Sequence, residues 1–104
     1  MAQFDVHRNG NPHTCRDIPY LLDVQSDLLD PLATRVVVPL VRLAAVPTPV
    51  RHLNPVFEVQ GKRVVLSTPE LAGIPRSALG EKVENLAQRR DEIIRALDVL
   101  FTGL

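Results

Sequence analysis

The chain has 104 residues, of which 45% are hydrophobic, and its twelve basic and twelve acidic residues give a formal net charge of zero. This length predicts one domain over residues 1–104, and the hydrophobic fraction is typical of a globular protein rather than a disordered one. The neutral charge disfavours direct binding to nucleic acid or to a membrane surface as the main activity, because both depend on an excess of basic residues.

Cysteine usage and hydropathy favour a cytoplasmic protein. The single cysteine, Cys15, excludes an internal disulfide, which suits a reducing compartment. We expect no signal peptide and no membrane span, because there is neither a charged-then-apolar leader nor a run of about 18 apolar residues. All nine prolines fall within residues 12–75. The first three quarters of the chain is therefore predicted to form short elements, and the last quarter is free to be helical.

Five strands are predicted in the first two thirds of the chain, from segments that alternate in polarity or are rich in β-branched residues. The turn signals between them are Asn9-Gly10-Asn11-Pro12, Asp30-Pro31 and Gly61, and the last of these predicts a hairpin. The third strand is the best candidate for a central position, and Pro39 is expected to bend or end it. The predicted strands span residues 3–8, 18–24, 34–43, 55–60 and 62–67.

One long helix is predicted at the end of the chain, over residues 85–104. Apolar residues recur there at steps of three and four, the spacing of one helix face, and the other side is mainly charged. Gly103 stands where a helix end favours positive φ, and we expect that end to face solvent. Before the helix, Thr68 is expected to cap a short helical turn and Gly80 to form a turn. The apolar face comprises Leu86, Ile93, Ile94, Leu97, Leu100, Phe101 and Leu104.

Short antiparallel strands followed by one helix predict an α+β fold that is mainly β. The residue pattern contains no catalytic or metal-binding motif. His7, His13 and His52 share no metal-ligand spacing and are interpreted as surface or loop residues. Cys15, beside Arg16, is interpreted as an incidental thiol. We therefore predict no catalytic residue, no metal site and no cofactor.

The acidic segment D-V-Q-S-D-L-L-D at residues 23–30 permits more than one interpretation. Asp23 and Asp27 could act as an acid–base pair, but a structural role is favoured, because Asp and Ser commonly bond to the backbone of such turns. Leu28-Leu29 is either folded back on the core or exposed to a partner. On the helix, Arg89-Arg90 is either a solvated face or a charged contact surface.

Several segments of the chain resemble the CcdB toxin family, and the resemblance runs over the full length. It implies a small SH3-like antiparallel barrel with a long C-terminal α-helix, assembled as a homodimer. The segments are Q-F at residues 3–4, D-V-Q-S-D-L-L-D at 23–30, R-V-V-V-P-L at 35–40, P-V-F at 55–57, T-P-E-L-A-G-I-P at 68–75, G-E-K-V-E-N-L at 80–86 and D-E-I-I-R-A-L-D-V-L-F-T-G-L at 91–104.

The resemblance implies a toxin of a type II toxin–antitoxin system, and not an enzyme. Toxins of this family bind the A subunit of DNA gyrase and trap the enzyme on cleaved DNA. A cognate CcdA-like antitoxin neutralises them, and the complex represses its own operon, with the antitoxin supplying the contact to DNA. The resemblance implies a plasmid-borne or a chromosomal toxin–antitoxin pair, and plasmid maintenance is the role expected of the former.

The resemblance also implies which residues make these contacts. Thr102 stands where the best-known members carry a tryptophan, which would bury a larger area. The expected gyrase contacts are Leu28, Leu29, Asp30, Asp91, Arg95, Asp98, Val99, Thr102, Gly103 and Leu104. The expected antitoxin contacts are Arg8, Asn9, Asn11, His13, Ala44, Val46 and Pro47.

Two alternative functions remain open from the sequence. MazF-type endoribonuclease toxins share this barrel, and RNA cleavage would need a base, an acid and a cationic stabiliser near the phosphate. The only candidates for such groups are Arg35 or Arg16 together with Asp23. The second alternative is a non-toxic homologue that binds the antitoxin.

Overall fold

Seven β-strands and one α-helix follow one another in the computed structural model, which describes residues 1–103. The predicted α+β class, mainly β, is confirmed. Single 3₁₀ turns lie at Asp27–Leu29, Leu43–Ala45, Thr68–Glu70, Arg76–Ala78 and Ala87–Arg89. The strands are β1 (Asp5–Asn9), β2 (Tyr20–Asp23), β3 (Thr34–Arg42), β4 (Val56–Val59), β5 (Lys62–Leu66), β6 (Ala72–Pro75) and β7 (Leu79–Asn85), and the helix is α1 (Arg90–Thr102).

The strands form one curled antiparallel sheet in the order β4-β5-β3-β2-β1-β7, with β6 also paired to β3. β3 is central, as predicted, but it does not end at Pro39. One edge of β3 pairs with β2, whereas the other pairs first with β6, up to Val37, and then with β5, from Leu40. Pro39 lies in the gap between β6 and β5, where its missing N–H costs no ladder hydrogen bond.

The hairpin predicted at Gly61 is confirmed between β4 and β5. Its two central residues, Gln60 and Gly61, have φ of 49° and 77°. A two-residue hairpin turn with positive φ at both central residues has a backbone twist that matches the twist of the flanking strands. Phe57 and Val59 then face the core, and Val56 and Glu58 face solvent, as the alternation of the sequence predicts.

Three predictions for the segment before the helix are wrong. Gly80 is not a turn residue but lies in β7, where a Cβ atom would come within 2.6 Å of the Arg8 carbonyl oxygen of β1. Glycine therefore permits the close approach of these two strands. Thr68 does not cap its helical turn, since its hydroxyl donates to the Leu53 carbonyl and Ser67 occupies the N-cap position. The α-helix begins at Arg90 rather than at residue 85.

The core lies between the concave face of the sheet and one side of α1. Ile93 and Ala96 are fully buried against strand residues such as Leu22, Val38 and Phe57. Burying side chains of this size contributes on the order of 1.5–3 kcal/mol each, so packing on the sheet stabilises the helix. Phe101, at the far end of the predicted apolar face, is 69% exposed.

Candidate functional site

The turn between β2 and β3 is built by local hydrogen bonds. Ser26 caps the 3₁₀ turn Asp27–Leu29, because its side-chain oxygen accepts a hydrogen bond from the Leu28 N–H at 3.2 Å. Asp27 accepts from the Gln3 N–H at 2.8 Å. The structural role favoured for Asp and Ser in this segment therefore matches the contacts of both residues.

A buried arginine binds acidic residues at both ends of this segment. Arg35, at the start of β3, has no exposed side-chain surface. Its Nε and Nη2 atoms lie 2.9 and 2.7 Å from one carboxylate oxygen of Asp23, and its Nη1 lies 3.1 Å from Asp30. Arg76 also donates to the Asp30 carbonyl oxygen. The planar guanidinium thus joins the end of β2 to the end of the turn.

Gln25 makes a second connection between the turn and the sheet. Its side-chain oxygen accepts from the Val36 N–H and its side-chain nitrogen donates to the Leu29 carbonyl, both at 3.0 Å. The Gln25 N–H in turn donates to Asp23 at 3.0 Å. These bonds leave the turn backbone little freedom to move relative to β2 and β3.

Burial is the largest influence on Asp23 and raises the pKa of its carboxyl group, while the Gln25 N–H and Arg35 act to lower it. Removing two charges from water costs several kcal/mol for each, so such a pair is retained only with good hydrogen-bond geometry. Arg35 meets that condition at two of its three nitrogens: Nε donates to Asp23 and Nη1 donates to Asp30, whereas the buried Nη2 lies 2.7 Å from Asp23 without forming a hydrogen bond of good geometry. We interpret the pair as a support that fixes the position of the turn.

The apolar residues of the turn point away from the core. Leu28 is 90% exposed and Leu29 is 48% exposed, so the alternative in which this pair folds back on the core is wrong. Leu32, nearby in the chain, is 49% exposed. Leucine side chains exposed to water do not stabilise the fold. An exposed apolar pair on a rigid polar turn is therefore typical of a surface that contacts another protein.

The second group of expected contact residues lies on α1. Asp91, Arg95, Asp98 and Thr102 line one shallow depression of about 410 Å³ together with Ile94. All four are exposed, whereas Val99 is half-buried. Asp91 and Arg95 do not form an ion pair within 4 Å, whereas Arg89, directly before the helix, pairs with Glu92 at 2.6 Å. Both charges of this face are therefore available to a partner.

The helix end is capped by its own backbone. Gly103 has φ of 76°, as predicted, and its N–H donates to the Val99 carbonyl at 3.0 Å. The Thr102 hydroxyl donates to the Asp98 carbonyl at 2.7 Å. Leu104, the last expected gyrase contact, lies outside the described residues. Within residues 1–103 no hydrogen bond or ion pair joins the turn to α1.

The expected antitoxin contacts lie in two loops. Asn9 ends β1, and its side chain donates to Thr14 and to the Ile18 carbonyl, both at 2.9 Å. Asn11 accepts from the His13 N–H at 2.9 Å, so both asparagines hold the first loop in shape. Arg8, Asn11 and His13 are exposed. In the second loop, Ala44 and Pro47 are exposed and Val46 is half-buried.

The groups considered for catalysis do not form an accessible site. Asp23 and Arg35 have no exposed side-chain surface, so an RNA substrate cannot contact this pair in the observed conformation. His7 is not a surface histidine, because it is buried in β1 with its Nδ1 3.0 Å from the Gly80 carbonyl oxygen. Among residues 1–103, no cluster of three or more His, Cys, Asp or Glu side chains could hold a metal ion.

Sequence reasoning missed the supporting role of Arg35 and Arg76. Arg35 was considered only as a catalytic group, although an arginine inside the otherwise apolar run R-V-V-V-P-L of residues 35–40 is a signal that its charge is paired. Arg76 carries no such signal, because it is brought to Asp30 only by the pairing of β6 with β3.

One comparison with known proteins bears on this arrangement. A protein-family model described as "CcdB protein" matches residues 3–103, which is nearly the whole chain. The match includes the turn, the helix and both loops described above. No helix in the described part of the chain is long and apolar enough to cross a membrane.

Proposed function

This chain belongs to the CcdB family of toxin–antitoxin toxins, and from that premise we propose that it binds the A subunit of DNA gyrase and traps the enzyme on cleaved DNA. The observation that carries the proposal is the rigid presentation of Leu28, 90% exposed on a turn that a buried arginine supports. Exposed apolar anchors on a preorganised segment give affinity without a large ordering cost.

The helix face supplies the second part of the proposed surface. Asp91, Arg95 and Asp98 stand exposed around one depression, and Thr102 and Gly103 follow at the helix end. Charged residues beside an apolar anchor favour orientation and rapid association more than affinity. Binding to gyrase is therefore expected to weaken with increasing salt. Asp30, which is bound by Arg35 and Arg76, contributes mainly by fixing the turn.

The proposed toxin is a homodimer and acts without catalysis of its own in the cytoplasm. The exposed Phe101 on α1 supports dimerisation, because a large aromatic side chain that is 69% exposed ends an apolar face whose other α1 residues are buried or half-buried. A second copy of the chain would cover it and place two helix ends side by side. The cognate antitoxin is proposed to bind at the two loops, neutralise the toxin and supply the DNA contact through which the complex represses its operon.

The direct test is a supercoiling and DNA-cleavage assay with purified gyrase and the purified full chain. We expect inhibition of supercoiling and accumulation of cleaved DNA. Absence of both effects at micromolar protein would exclude the proposal. Digestion of an mRNA in the same preparation would point instead to the endoribonuclease alternative, which the burial of Asp23 and Arg35 disfavours. Growth arrest on expression would exclude a non-toxic homologue.

A further inference from the structure

A hollow of about 500 Å³ is lined by four cationic side chains that come from three separate segments of the chain. Arg16 comes from the loop before β2, Arg42 from the end of β3, and Lys62 and Arg63 from the start of β5. The segments meet because β3 pairs with β5 and because the Arg42 N–H donates to the Asp17 carbonyl at 2.8 Å. Cys15 and Pro19 complete the lining.

The charges of these four residues are not neutralised within the described chain. None of them forms an ion pair within 4 Å with a carboxylate of residues 1–103. Two acidic residues adjoin the cluster: Asp17 follows Arg16 in the loop, and Glu58 is opposite Arg63 in the β4–β5 register. The lining itself contains four cations and no acidic side chain, which gives a local positive excess on a chain whose net charge is zero.

We propose that this hollow binds an acidic peptide segment of a partner protein. Arginine guanidinium groups bind carboxylates through paired hydrogen bonds, and Arg16, Arg42 and Arg63 supply three of them around one opening. The neutral net charge gives no long-range attraction for nucleic acid, and no aromatic side chain among the lining residues offers a surface on which bases could stack. A short acidic peptide fits both observations.

The position of the hollow indicates which partner would supply the segment. Arg16 lies in the first of the two loops at which the antitoxin is proposed to bind, and Arg42 directly precedes the second. If the proposed function is correct, the acidic segment belongs to the antitoxin. The chemistry of the hollow does not depend on that identity, because the cation cluster is a property of this chain alone.

The test is fluorescence anisotropy of the full chain with a short fluorescein-labelled peptide of alternating aspartate and glutamate at low ionic strength. We expect the double variant Arg42→Gln/Arg63→Gln to bind this peptide about 10-fold more weakly than the unmodified chain. The matched control is Arg51→Gln/Arg90→Gln, which removes the same charge from exposed positions elsewhere and should change binding by less than about 2-fold.

Three outcomes would overturn the inference: no binding by the unmodified chain, equal loss in both double variants, or equally tight binding of an oligothymidylate that also depends on Arg42 and Arg63. The gyrase assay separates this inference from the proposed function. A chain that binds the peptide but leaves gyrase unaffected disproves the proposed function alone. A chain that poisons gyrase without binding the peptide disproves the inference alone.

Discussion

The turn at Leu28–Asp30 and the helix end at Thr102–Gly103 are both exposed, but they are supported differently. The turn rests on Arg35, a charge with no contact to solvent, and on the side chains of Gln25 and Arg76. Within residues 1–103, the hydrogen bonds of the helix end go only to its own preceding turn. Substitutions beneath the turn should therefore affect stability, whereas changes at the helix end should affect only binding.

The largest effect on stability is expected from Arg35→Met. It leaves the Asp23 carboxylate buried without its partner, which costs about 3–5 kcal/mol in the free energy of unfolding. Urea denaturation at neutral pH measures this loss. The double variant Asp23→Leu/Arg35→Met is the control, because it removes both charges and should be less destabilised than Arg35→Met alone. A loss below about 1 kcal/mol would show that the turn does not depend on the buried pair.

The same variant has a defined pH dependence. Burial already raises the pKa of Asp23 above its unfolded value, and removing Arg35 removes one group that lowers it. Because the pKa of Asp23 is higher in the folded state, the folded protein takes up this proton at a higher pH than the unfolded chain does. The free energy of unfolding therefore increases as the pH falls through the folded-state pKa. The destabilisation by Arg35→Met should accordingly be smaller at about pH 5 than at about pH 7.

Deletion of residues 103–104 should separate binding from folding at the helix end. The N–H of Gly103 makes one hydrogen bond, to Val99, and a Cβ at Gly103 would meet nothing within 4 Å. We expect gyrase inhibition to weaken by at least about 100-fold, while the free energy of unfolding changes by less than about 1 kcal/mol. Retained binding of the antitoxin is the control. A stability loss of more than about 1–2 kcal/mol would make this segment structural.

Leu28→Ser should weaken binding to gyrase with little effect on folding stability, as the deletion is expected to do at the helix end. Because Leu28 is 90% exposed, its stability effect should stay within about 0.5 kcal/mol, while gyrase inhibition falls about 10-fold. Leu32→Ser is the matched control, since Leu32 is 49% exposed but is not among the expected contacts. Equal loss of inhibition in both variants would mean that general surface hydrophobicity, and not this turn, determines the binding.

Thr102→Trp should strengthen the proposed contact at the helix end. The indole adds apolar area at a position that is exposed in the free protein, and we expect gyrase inhibition to improve about 10-fold. Thr102→Val is the control, because it removes the hydroxyl bond to Asp98 and adds no aromatic ring. Unchanged or weaker inhibition by Thr102→Trp would show that this protein uses a different contact at the helix end.

The smallest effect is expected from Glu92→Gln on the helix. The hydrogen bond from Arg89 lowers the pKa of Glu92, so the pair stabilises the fold above the unfolded pKa of about 4.5 and loses this effect as the pH falls. Both side chains are nearly half exposed, and the loss at neutral pH should be below about 0.5 kcal/mol. Thermal melts should detect a smaller difference at about pH 3 than at neutral pH. A larger loss would mean that the helix depends on this surface pair.

The sequence predicted the elements whose signals are local. The hairpin at Gly61, the buried face of β4 and the positive φ of Gly103 follow from turn chemistry and from the period of side chains in a strand or helix. The same reasoning failed for β6 and β7, because neither Ala72–Pro75 nor Leu79–Asn85 alternates clearly in polarity. Those strands form because β1 and β3 offer unpaired edges.

The sequence by itself determined the α+β class, the buried face of β4 and the family resemblance. Only the tertiary structure decided that Leu28 faces solvent, that His7 and Arg35 are buried, and that Arg16, Arg42, Lys62 and Arg63 surround one hollow. The physical reason is that the local period of apolar residues indicates which face of a helix or strand is buried. The surroundings of a polar side chain depend instead on which distant strands pack beside it in the folded protein.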